Sequence, residues 1–152
     1  MESQKQTIIN ELALKIGKII DSSLKHITDI QKILKDIKDI KDINDIKEIY
    51  RLEKMLKKEE RYLKNKSREK DSLVLLTLVT MDEDRYKDTK QKLENMFQDI
   101  ETHVIQFFKV FEPQFETLYS ILRKSPRGII RKNAFSSSIG CYVLLALTFF
   151  VI

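Results

Sequence analysis

The chain has 152 residues, of which 42% are apolar and only three are Gly and two Pro, so it can build one hydrophobic core from long helices with few turns. Its single cysteine, Cys141, excludes an intrachain disulfide and a zinc site built on cysteines. The net charge of +5 does not indicate nucleic-acid binding, because the five cations beyond residue 122 account for the whole excess of 28 Lys and Arg over 23 Asp and Glu.

An apolar stripe between residues 8 and 37 predicts a long amphipathic helix. At about 100° per residue, its members lie within about 80° of Ile30 around the helix. They are Ile8, Ile9, Leu12, Ile16, Ile19, Ile20, Ile27, Ile33, Leu34 and Ile37. Gly17 and the run Asp21, Ser22 and Ser23 are poor helix residues, but the stripe keeps its phase across them, so we expect one continuous helix.

The segment KDIKDIKDINDIKEIY, residues 35–50, places an apolar residue at every third position, whereas the α-helix has a period of about 3.6 residues. On a continuous helix these residues circle the axis, and the stripe returns to its first face between Leu52 and Leu63. Coverage by a neighbouring element or another chain, a break near Asn44 and an exposed patch remain open, and we favour coverage. The candidate partner surface is therefore Ile40, Ile43, Ile46 and Ile49.

Residues 72–81, SLVLLTLVTM, are apolar on every side and follow a highly charged segment that we expect to be solvated. A run of this length fits either a buried strand or a buried helical turn, and periodicity does not separate the two. No second strand is predicted to pair with it, so we favour a helix.

A second apolar stripe predicts another long helix. It consists of Tyr86, Leu93, Met96, Phe97, Ile100, Val104, Phe107, Phe108, Phe111, Phe115, Leu118, Tyr119 and Leu122. Part of it alternates spacings of four and three, which is typical of a bundle or coiled-coil seam. Pro113 removes the hydrogen bond to the Lys109 carbonyl, so we expect a bend or a short break around residues 110–114.

These elements predict an all-α fold with long amphipathic helices in an antiparallel hairpin or a three- to four-helix bundle, followed by a C-terminal transmembrane helix. Residues 1–122 form the helical, coiled-coil-like body. Residues 123–133 form a basic juxtamembrane linker, and residues 134–152 form the membrane anchor.

The anchor segment, AFSSSIGCYVLLALTFFVI, carries no charge, and as a helix it spans about 28 Å, close to a hydrocarbon core of about 30 Å. Residues expected in the hydrocarbon are Ile139, Val143, Leu144, Leu145, Leu147, Phe149 and Phe150. Residues expected at lipid headgroups are Arg123, Lys124, Arg127, Arg131 and Lys132. There are two alternatives for this segment. It forms a C-terminal helix docked in the core, or the sequence is a piece cut within a larger membrane protein. The N-terminal residues have no apolar signal core, so we expect a single-pass protein with its body in the cytoplasm.

Residues for catalysis or metal binding do not form any recognisable motif. His26 and His103 complete neither HExxH nor a helical Glu-x-x-His pair, and the three Gly residues cannot form a phosphate-binding loop. We therefore expect no enzyme, metal, cofactor, nucleic acid or small-molecule substrate.

The order of helical body, basic linker and apolar segment resembles the layout of tail-anchored proteins. We expect a membrane-anchored interaction or structural protein that acts as a tether, an adaptor or a subunit of a membrane complex. Its expected partners are membrane lipids and either another protein or a second copy of the chain. The alternatives are a membrane-active, pore-forming or holin-like protein, and a soluble helical bundle with a docked apolar C-terminal helix.

Overall fold

The computed structural model describes residues 2–38, 46–80 and 82–123, and these residues form three helices. Helix α1 is Glu2–Lys38, α2 is Ile46–Thr80 and α3 is Glu83–Arg123. The described residues contain no strand, which confirms the all-α fold class. Helix α2 includes the apolar run from residue 72 to Thr80, so the helix favoured for that run is also confirmed.

Helix α1 is continuous through Gly17 and the Asp21–Ser23 run, as the unbroken phase of its stripe predicted. The Ser23 side chain is buried, and its hydroxyl donates to the Ile19 carbonyl at 2.7 Å. That bond satisfies the hydroxyl one helical turn back, so the serine is accommodated inside the helix.

Helix α3 begins with a side-chain cap and continues through a proline. The Asp82 Oδ1 atom accepts hydrogen bonds from the backbone N–H groups of Asp84, at 2.9 Å, and Arg85, at 3.3 Å. This is the geometry of an N-cap, and the acids in the first turn complement the helix dipole. Pro113 lies inside α3 without interrupting it, so the short break considered at residues 110–114 does not occur.

The helices contribute to two compact units, and each unit contains one segment from every helix. The first consists of Met1–Ser23 and Arg61–Val104. Its buried apolar residues are Ile9, Ile16, Ile19, Ile20, Leu63, Leu93, Met96, Ile100 and Val104. Lys5 on α1 forms an ion pair with Glu83 on α3, at 3.1 Å, and the Tyr62 ring on α2 stacks on His103 of α3 with centroids 4.0 Å apart.

The second unit consists of Leu24–Glu60 and the part of α3 that begins at Ile105. Its buried apolar residues are Ile27, Ile30, Ile33, Leu34, Ile37, Ile49, Leu52, Leu56, Phe108, Phe111, Phe115, Leu118 and Tyr119. The Gln31 amide donates to Glu60 at 3.4 Å, and Lys38 donates to Glu53 at 3.0 Å. From the first pair to the second, the residue number rises on α1 and falls on α2, so the two helices are antiparallel.

This antiparallel packing corrects the interpretation of the isoleucine repeat. The apolar stripe does not continue on one helix from Ile8 to Leu63, because α1 ends at Lys38 and α2 begins at Ile46. The repeat therefore extends from the end of α1 to the start of α2, and the chain reverses direction between them. The alternative of a break near Asn44 falls outside the described residues and stays a prediction. Ile40 and Ile43 lie outside the described residues.

Candidate functional site

The most unusual surface of the described residues lies near the C-terminal end of α2. Leu75 is 64% exposed, Leu76 50%, Leu78 38% and Val79 75%. Thr77, in the middle of the same run, is only 1% exposed. Between Leu75 and Val79 the helix therefore buries the one polar residue and exposes the four apolar ones. We call the four exposed residues the α2 surface.

Helix geometry places Leu75 and Val79 on the side of α2 opposite Thr77. At about 100° per residue, Thr77 lies about 160° from Val79 and Leu75 lies close to Val79. The Thr77 hydroxyl donates to the Leu73 carbonyl at 2.9 Å, so burial leaves it satisfied within its own helix. Leu75 and Val79 therefore face away from the core of the first unit, and Leu76 and Leu78 lie at about 100° on either side of Thr77.

A groove between α1 and α2 of the first unit adjoins the α2 surface and has a volume of about 500 Å³. Its apolar lining comes from Ala13, Leu14, Val74, Leu75 and Leu78. Leu14 is itself 60% exposed, so the exposed apolar area extends from α2 onto α1. The remaining lining residues are Asn10, Gly17, Lys18, Asp21, Lys70 and Asp71.

The long side chain of Lys70 crosses the groove to reach Gly17 on α1. A Cβ atom added to Gly17 would lie 3.2 Å from the Lys70 ammonium nitrogen. The same ammonium lies 3.4 Å from the Asp71 carboxylate. The absence of a side chain at Gly17 thus gives the lysine head group room against the α1 backbone.

Exposed charged residues lie before and after the α2 surface in the chain. Arg61 and Arg68 are exposed on α2 and precede it. Asp82, Glu83 and Asp84 are exposed and follow it, at the start of α3. Exposed Glu69 and Asp71 also precede the surface, and exposed Arg85 and Lys87 also follow it, so charges of both signs border it at each end.

The predicted partner residues of the isoleucine repeat divide between surface and core where they are described. Ile46 is 47% exposed, whereas Ile49 is fully buried in the second unit. They do not form one surface, since Ile49 contributes to the core. The predicted lipid-contacting residues from Lys124 to Phe150 lie outside the described residues, and Arg123 is the last residue of α3.

The two histidines lie against aromatic rings. His26 is buried, with its ring 5.2 Å from that of Phe108 in an edge-on arrangement. Burial lowers the pKa of His26 below its ordinary value, and the nearby Asp29 carboxylate partly opposes this effect. His103 stacks on Tyr62, with ring centroids 4.0 Å apart.

No group of three or more His, Cys, Asp and Glu residues within the described ranges could hold a metal ion. None of the three described helices is both long and apolar enough to cross a membrane. The segment 134–152, for which the sequence predicts such a helix, is outside the described residues.

The sequence pattern did not reveal the α2 surface, because residues 72–81 were expected to be buried. A usable signal was present in Thr77, the one polar residue within LVLLTLV, whose burial turns the flanking leucines outward. Comparison of the chain with protein-family models, curated proteins and solved structures found no match.

Proposed function

We propose that the chain is a membrane-anchored helical interaction protein that holds its bundle at the cytoplasmic face of a membrane and presents the α2 surface to a protein partner. The exposure of Leu75, Leu76, Leu78 and Val79 carries the proposal. Contiguous exposed apolar side chains are typical of surfaces that bind another protein. The polar residues beside the groove provide the rim that such interfaces usually have.

The sequence supports the membrane part of the proposal. Residues 134–152 carry no charge, and the linker at 123–133 carries five cations and no acid. Anionic headgroups on the cytoplasmic leaflet attract cations at this position. An anchor confines the bundle close to the membrane, which raises its effective concentration towards a partner in the same membrane.

Membrane anchoring is tested by fractionating the full chain and a full-length Leu144→Arg/Leu147→Arg variant. Each arginine near the centre of a span costs about 2.5–3.5 kcal/mol, so the variant should move from the membrane to the soluble fraction. The matched control is Leu14→Arg/Val110→Arg, which places the same charges at exposed apolar positions of the bundle. Recovery of the unmodified chain in the soluble fraction after gentle lysis would refute the anchor.

The interaction role is tested by photo-crosslinking in intact cells. A photoreactive side chain at Leu75 should give discrete crosslinked protein products, and one at Val110, which is 59% exposed on α3, should give few. Equal product patterns from the two positions would show that the α2 surface is not a preferred binding site.

A second candidate, a membrane-active protein, is motivated by the same exposed apolar residues. However, the ten-residue run at 72–81 rises only about 15 Å as a helix, half the thickness of a hydrocarbon core of about 30 Å. Dye-loaded liposomes saturated with the full chain should therefore stay sealed, and rapid dye release would favour this candidate.

A further inference from the structure

We draw no further inference here: the strongest candidate, the apolar groove between α1 and α2 of the first unit with the α2 surface beside it, carries none, because nothing in the structure shows what covers it and exposed charges of both signs border it.

Discussion

Replacing Pro113 by alanine should stabilise the protein, because the proline occupies the interior of α3 without packing in the core. Its side chain is exposed, and the helix continues on both sides of it. Proline is about 3 kcal/mol less favourable than alanine in a helix interior, since it lacks the N–H that would bond the carbonyl four residues earlier. That carbonyl belongs to Lys109, which is also exposed.

The full intrinsic difference will not be recovered. Phe111 and Phe115 flank the proline, are almost fully buried and stack with ring centroids 5.8 Å apart. Any change in the α3 axis after the proline is removed would displace these well-packed rings, at a cost of about 1–2 kcal/mol. The net expected gain in the free energy of unfolding is therefore about 1–2 kcal/mol.

The assay is urea unfolding of the full chain in detergent micelles, followed by far-ultraviolet circular dichroism. The midpoint should rise with no change in the slope of the transition, because the same surface is exposed on unfolding. Ser120→Ala, another exposed α3 position, controls for general effects of helix propensity and should gain no more than about 0.5 kcal/mol. An unchanged or lower midpoint for Pro113→Ala would show that the core of the second unit requires the proline conformation.

Two further substitutions test individual contacts in the same unfolding assay. Gly17→Ala should stabilise α1 by about 0.5–1 kcal/mol, because alanine is the better helix former and the added Cβ meets only the end of the flexible Lys70 side chain, at 3.2 Å. Lys15→Ala is the control. A loss of stability would show that the Lys70 ammonium is held in place. Burial lowers the pKa of His26 from 6.5, so His26 favours its neutral form in the folded state. The free energy of unfolding should therefore stay level above about pH 6.5 and fall as the pH drops below it. His26→Leu should reduce this slope and His103→Leu should retain it, whereas equal slopes in all three proteins would contradict the assignment to His26.

The apolar stripes predicted most of the fold because they mark residues that must be buried, whatever the positions of the turns between helices. Ile9, Ile16 and Ile27 on α1 and Ile100 and Phe111 on α3 are all buried, as their helical spacing indicated. The spacing of apolar residues does not show whether the chain reverses direction between two stripes. An angular count follows one helix axis, so it assigned Leu52–Leu63 to the face of α1 although these residues belong to an antiparallel neighbour.

The position of the α2 surface could not be predicted for a related reason. Periodicity tells which residues of a helix favour burial, and the run around Thr77 favours it on every side. A helix packed against two neighbours buries only part of its circumference, so some of these residues had to be exposed in a three-helix unit. Thr77 tolerates burial because its hydroxyl bonds the Leu73 carbonyl, and the exposure of Leu75 and Val79 to water is unfavourable. A segment with more apolar faces than its unit can cover leaves apolar side chains for a binding partner, which is the role proposed for the α2 surface.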